Sequence, residues 1–209
     1  MLDARLAVLL SGTGTILQAM IEAGVPIDLV VSDRDCEAEN IAFRSDIPVM
    51  RICRTIFGWD TTLPWNRQSH FEREAFSDFV TASLQQEGID LIALAGFMTI
   101  LTGSFHNSYQ HRVINTHPSL LPAFPGAYAV REALTAGLNQ TGFTIHMVTE
   151  KVDCGPTIYQ EAVAIRRGDT VESLHERIKQ RERIAYPFIL KQILAGERAL
   201  PPASAYFTT

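Results

Sequence analysis

The chain has 209 residues, 46% of them hydrophobic and 20% charged, with a formal net charge of −5. That length and apolar content suit one globular domain with a sizeable core and exclude a disordered chain. The acidic balance argues against nucleic acid as the main partner, and no apolar run reaches the roughly 18 residues of a membrane span. Leu6–Leu10 is a continuous apolar run and reads as a strand. It is followed by the turn Ser11-Gly12-Thr13-Gly14 and by apolar residues at helical spacing (Ile16, Leu17, Ala19, Met20, Ile21), closed by Gly24. Ile27–Val31 predicts the next strand, Glu37–Arg44 a short helix and Val49–Cys53 a third strand. Arg54–Ser69 carries Gly58, Pro64, Trp59 and Trp65 and reads as a long surface loop. Phe71–Gln86 predicts a helix with Phe76, Phe79, Val80 and Leu84 on one face. Ile89–Ala95 predicts a buried strand and, after a short connection, Arg112–His117 another.

The second half changes character. Thr144–Val148 and Thr157–Ile165 are strand-like and joined by a polar turn with Gly155-Pro156, the pattern of a hairpin-like edge. Asp169 then opens a helix, with Glu172 completing a capping box and Val171, Leu174 and Ile178 on the buried side. Pro187 is expected to kink or restart that helix and Gly196 to end it, leaving a loose tail over 201–209. Strands that alternate with helices and are apolar throughout predict an α/β, Rossmann-like fold. Its sheet is mainly parallel with helices on both faces and an antiparallel edge late in the chain. One domain is expected over residues 1–200.

Cys36, Cys53 and Cys154 are odd in number and show no CxxC spacing, which speaks against a disulfide framework or zinc ribbon and for a reducing compartment. Only five apolar residues lie between Arg5 and Ser11, too few for a signal-peptide core, so a cytoplasmic protein is expected. The histidines show no HxxxH or CxxH spacing, and no metal is expected.

Three constellations carry chemistry. Ser11-Gly12-Thr13-Gly14-Thr15 lies between a strand and a helix, where backbone N–H groups bind anions and glycines permit close approach. It is either a phosphate site or a well-capped tight turn. No Gly-Lys-Ser/Thr follows, and Leu17 occupies the third glycine position of a dinucleotide fingerprint, which weakens a nicotinamide dehydrogenase. Asn115 and His117 lie two apart at a strand end, so they project to one side, an amide donor beside an imidazole. Asp153-Cys154-Gly155-Pro156 forms the late turn; turn chemistry accounts for it alone, and nothing nearby activates Cys154 as a nucleophile.

From about Leu6 to Gly196 the chain resembles the phosphoribosylglycinamide formyltransferase family of the formyltransferase superfamily. The marks are the early Ser-Gly-x-Gly-Thr turn, Leu94-Ala95-Gly96-Phe97-Met98, Asn115-x-His117-Pro118-Ser119-Leu120-Leu121-Pro122, Thr144-x-His146, Asp153-x-Gly155-Pro156, and Glu182 followed by Ala185-Tyr186-Pro187. The resemblance implies formyl transfer from 10-formyltetrahydrofolate, the co-substrate, to the amine of glycinamide ribonucleotide in purine synthesis, by a monomer or homodimer. It implies that Asn115, His117 and Asp153 are catalytic. Gly12, Thr13, Gly14 and Thr15 match the phosphate loop, Arg73 a phosphate-clamping base, and Lys179 and Glu182 the ribose contacts. Met98, Leu101, Val148 and Asp153 match the folate pocket. The N-terminal half would bind the phosphate, and the C-terminal half would bind folate and carry catalysis.

The chain departs from the family pattern at Ile16, where Asn is usual, and at Thr99, where Arg is frequent. It departs again at Lys179, where Gln is common, and at Phe143, where a small residue is usual. These departures bear on substrate affinity more than on chemistry. They leave room for another amine acceptor, such as an amino sugar nucleotide. A formyltetrahydrofolate hydrolase and a non-catalytic binding protein are the readings from other classes.

Overall fold

Five consecutive apolar residues form the first strand, β1 (Leu6–Leu10), and all five are fully buried. A strand covered on both faces is what a run without alternation produces. The computed structural model describes residues 4–60, 62–63, 69–202 and 204–205. Packing divides the chain after Val113 into two compact units.

In the first unit β1 pairs in parallel with β2 (Leu29–Ser32) and with β4 (Leu91–Leu94), and β2 pairs in parallel with β3 (Val49–Arg51). Four helices accompany these strands: α1 (Thr15–Glu22), α2 (Glu37–Arg44), α3 (His70–Gln86) and α4 (Gly103–Ser108). Ser69 and Glu72 close a reciprocal capping box at the start of α3.

In the first unit the elements fall where the patterns predict them, with three differences. Phe79 is half exposed, and the buried stripe of α3 is instead Phe76, Ser77, Val80, Thr81 and Leu84. The predicted surface loop after Cys53 opens with a 3-10 turn, Arg54–Phe57, and Trp59 is buried with its ring edge-on to Phe76 at 5.9 Å. An aromatic pair of that kind anchors the segment from inside. Trp65 lies outside the described residues. The expected short connection after Ala95 contains α4, which one buried side chain, Phe105, ties down.

The second unit holds the rest of β5 (Val113–His117), α5 (Ala129–Thr135), β6 (Gln140–Met147), β7 (Thr157–Ala164) and α6 (Val171–Leu194). β5, β6 and β7 form an antiparallel ladder, the late hairpin that the polar turn predicted. The cap of α6 is Thr170, not Asp169: Thr170 and Ser173 exchange side-chain-to-backbone bonds at 3.2 and 2.9 Å. Asp169 is engaged by the Arg177 guanidinium at 2.6 and 2.8 Å and by the Arg166 N–H. A bidentate pair of that kind outcompetes a capping role.

α6 also runs without a break through Pro187. Tyr186, Ile189, Leu190 and Ile193 are buried on both sides of that proline, and the Tyr186 hydroxyl donates to the Ile114 carbonyl at 2.9 Å. This packing offsets the lost backbone bond. Gly196, at a φ of 75°, follows the helix end as predicted. Most of the tail at 201–209 lies outside the described residues. The fold is α/β and Rossmann-like, parallel in the first unit and antiparallel in the second.

Candidate active site

Successive residues of a strand alternate faces, so in β5 Asn115 and His117 project to one side and Thr116 to the other. The antiparallel register sets His146 of β6 opposite Asn115, and Thr144 opposite His117. Directly opposed residues share a face. The Asn115 Nδ2 lies 3.4 Å from the His146 Nε2. His146 is buried, and its Nδ1 donates to the Met147 carbonyl at 2.8 Å, which leaves Nε2 as the acceptor for the amide. Burial holds the His146 ring below the ordinary histidine pKa, against the pull of the Met147 carbonyl and the Asp153 carboxylate.

Asp153 joins this group from the loop between β6 and β7. Its Oδ2 is 3.3 Å from His117 Nδ1, and its Oδ1 is 3.6 Å from His146 Nε2. Oδ2 also accepts the Gly126 N–H at 2.8 Å, and His117 Nε2 donates to the Phe124 carbonyl at 2.9 Å. One short segment after β5 therefore fixes both the carboxylate and the far side of the ring. Asp153 sits at a φ of 53°, in the left-handed region that Asp tolerates better than most residues. Two residues on, a Cβ at Gly155 would lie 1.8 Å from the Met147 carbonyl oxygen. The glycine of Asp-x-Gly-Pro is thus what lets the loop close onto β6. Thr144 holds the other wall: its hydroxyl donates to the Ser119 carbonyl at 2.7 Å and accepts the Leu121 N–H at 3.0 Å.

The structure brings Asn115, His117 and Asp153 together as predicted and adds His146, which sequence reasoning did not place among the site residues. The Thr144-x-His146 motif was the one sequence signal that pointed to it; the register that sets it opposite Asn115 is not written in local pattern. Val148 lies just past β6, half-buried.

Glu182 does not join the trio. It is 5% exposed and takes the Thr116 hydroxyl at 2.8 Å, on the strand face opposite Asn115 and His117. Burial raises its pKa above the ordinary carboxylate range, although the Thr116 bond and the Lys179 charge pull the other way. Lys179 is half-buried one helical turn away.

The remaining predicted residues belong to the first unit. Gly12, Thr13 and Thr15 are exposed around the start of α1, and Gly14 is its N-terminal cap residue at a φ of 74°. A Cβ on Gly14 would come within 2.8 Å of the Ala38 backbone, so this glycine lets α1 and α2 approach. The Met98 N–H donates to the Ser11 hydroxyl at 2.9 Å; the Met98 side chain is exposed and Leu101 is buried. Arg73 lies in the first turns of α3, with its Nε buried and without a hydrogen-bond partner among the described residues. Among the described residues no group of three or more His, Cys, Asp or Glu is placed to hold a metal ion, and no helix is long and apolar enough to cross a membrane.

An α/β fold whose strand-end amide and imidazole meet an aspartate defines a class, and comparison with known proteins agrees. The chain belongs to the formyl transferase family, whose model matches residues 4–190. It is 40% identical over 185 residues to the phosphoribosylglycinamide formyltransferase of Mycobacterium tuberculosis, covering 86% of this chain and 80% of that one. To the Bacillus subtilis protein of the same name it is 32% identical over 200 residues, 93% of this chain and 99% of the relative. It is 40% identical over 199 residues to the trifunctional purine biosynthetic protein adenosine-3 of Gallus gallus, where 92% of this chain spans 18% of the relative's length. The crystal structure of glycinamide ribonucleotide transformylase 1 from Symbiobacterium toebii superposes with a TM-score of 0.79 at 38% identity, covering 92% of this chain and 88% of that one.

Proposed function

We propose that this chain transfers the formyl group of 10-formyltetrahydrofolate to the amine of glycinamide ribonucleotide. The observation that carries this reading is the meeting of Asn115, His117 and Asp153 beside His146 within a member of the formyl transferase family. Attack of the amine on the formyl carbon makes a tetrahedral centre with negative charge on oxygen. Donors fixed in advance at that oxygen are usually the largest catalytic contribution. The Asn115 amide offers two N–H groups; His146 takes one, and the other is free for the oxyanion. His117 is anchored through its Nε2–H, and as the imidazolium it also presents an Nδ1–H, beside Asp153, as a second donor. Collapse breaks the bond from the formyl carbon to N10. The attacking nitrogen gives up one proton and N10 gains one, and Asp153 with His117 moves it, directly or through a water. Protons balance and no covalent enzyme intermediate is required.

The other roles follow the resemblance. Backbone N–H groups at Gly12–Thr15 take the phosphate at the start of α1, with Arg73 as a further cation. Lys179 and Glu182 serve the ribose, and Met98, Leu101, Val148 and Asp153 the folate. The free thiols of Cys36, Cys53 and Cys154 suit a reducing compartment, the cytoplasm.

The test is absorbance of released folate with purified protein, 10-formyltetrahydrofolate and a panel of acceptors. Release that requires glycinamide ribonucleotide is the expected result. Formate without any acceptor would identify a hydrolase, and turnover with an amino sugar nucleotide alone would move the acceptor; either overturns the reading.

A further inference from the structure

Outside the site described above, the first unit holds a second buried carboxylate with an unusual retinue. Asp33 follows β2 and is 1% exposed. Arg34 grips it with Nε at 2.9 Å and Nη2 at 3.0 Å, and the Thr99 hydroxyl donates to Oδ2 at 2.5 Å. Arg54 brings its Nε to 3.3 Å from the same oxygen, while its guanidinium lies over the Trp59 ring at 5.3 Å. Burial opposes ionisation of Asp33, but the bonds from Arg34 and Thr99 and the charge of Arg54 outweigh it and keep the carboxyl below its ordinary range.

Two cations therefore share one anion. The neighbouring charges do not redress the balance: Glu39 and Asp35 are taken by Arg51. Among the described residues no other carboxylate pairs with Arg34 or Arg54, and neither Nη group of Arg54 makes a hydrogen bond. The Arg54 side chain is 13% exposed, and its Nε is buried without a hydrogen bond among the described residues. A desolvated guanidinium with unused N–H groups, held rigid by an aromatic face and a carboxylate, is a preorganised receptor for a second oxyanion.

Two hydrogen bonds tie the neighbouring segments to the glycine loop. The Ala38 N–H donates to the Gly12 carbonyl at 3.2 Å, which ties the segment after Asp33 to the loop before α1. Thr99 is next to Met98, whose N–H is bound by Ser11. The cluster thus adjoins both the glycine loop and the turn after β4.

We propose that Arg34 and Arg54, gathered on Asp33, form a binding site for an oxyanion group, phosphate or carboxylate, of a substrate. Under the proposed function, on which this last assignment rests, the phosphate would be the ribonucleotide phosphate taken by the Gly12–Thr15 backbone, with Arg34 and Arg54 as further cations, and the carboxylate would be the glutamyl tail of the folate.

Inorganic phosphate and glutarate are the probes. Wild-type protein is titrated with each while the Arg34 and Arg54 Nε–Hε resonances are followed by NMR, and Arg54→Gln, Arg34→Gln and Arg54→Lys are titrated in parallel. At least one probe is expected to shift the Arg54 resonance. Affinity should fall about 10–10²-fold in Arg54→Gln, as for a lost bond to a charged group, and recover in part in Arg54→Lys. In turnover assays the KM for the substrate bearing that group rises by a similar factor at nearly unchanged kcat. A rise for the ribonucleotide identifies phosphate and a rise for folate identifies carboxylate. If neither probe moves the Arg34 or Arg54 resonances of the wild type, the site does not exist, whether or not any variant folds. Probe binding lost in Arg54→Gln, in a protein without formyl transfer, leaves the site standing and overturns the proposed function instead.

Discussion

His146 faces Asn115 across the β5–β6 ladder and offers its Nε2 to the amide at 3.4 Å. Because Nδ1 is committed to the Met147 carbonyl, the ring sets which way the amide points. In the proposed reaction it would act through Asn115, not on the substrate. His146→Ala should lower kcat about 10–10²-fold with little change in either KM, since a small misplacement of a catalytic donor has costs of that size. Steady-state kinetics with each substrate varied checks this. An unchanged kcat would reduce His146 to packing.

Two buried groups give stability opposite slopes with pH. His146 has a native pKa below its ordinary 6.5. As pH falls below that value, the unfolded chain takes up a proton that the native state refuses, and stability drops until the native pKa is passed. Glu182 has a native pKa above its ordinary 4.5. As pH rises above that value, the unfolded chain releases a proton that the native state keeps, and stability drops until the native pKa is passed. Glu182→Gln should therefore raise Tm at about pH 8, and the gain should vanish toward about pH 4. Calorimetry at the two pH values checks it. A lower Tm for the variant at the higher pH would show that the carboxylate is stabilising when ionised.

Asp153→Asn keeps the shape of the loop and removes the charge. Gly126 keeps its acceptor, because an amide oxygen replaces Oδ2. The expected result is a kcat loss of about 10²–10⁴-fold with an altered pH–rate profile, as for loss of a general acid–base group. Full activity with an unchanged profile would leave Asp153 a turn residue.

Gly155→Ala puts a methyl group 1.8 Å from the Met147 carbonyl oxygen. The loop must move away from β6 and take Asp153 with it. Overpacking of this kind costs about 1–3 kcal/mol, and kcat should fall with it. Thermal unfolding and kinetics of the one variant check both; a stable, active Gly155→Ala protein would refute the steric reading.

Much of this was legible from residue order. A five-residue apolar run closed by Ser11-Gly12, as in Leu6–Leu10, is too short for a helix and reads as a buried strand, and the two-residue spacing of Asn115 and His117 on a strand forces them to one side. What escaped depends on partners distant in sequence. His146 enters the site through the register of two strands, which local pattern does not specify. Trp59 is buried because Phe76 is there to receive it. Asp169 gave up its predicted capping role to Arg177, two turns along α6. Pro187 sits inside a helix because flanking side chains pack too well for it to break. Phe79 fits the helical period of its neighbours yet is half exposed, because the stripe that meets the core runs through Ser77 and Thr81.

In the proposed reaction the Asn115, His117 and Asp153 group performs formyl transfer to glycinamide ribonucleotide. The most direct measurement is the rate of folate release by His117→Ala beside the wild type, with both substrates saturating and folding verified by circular dichroism. A fall of about 10²–10³-fold in kcat, the size of a lost oxyanion donor, is the predicted result. Turnover close to that of the wild type would remove His117, and with it this group, from the chemistry.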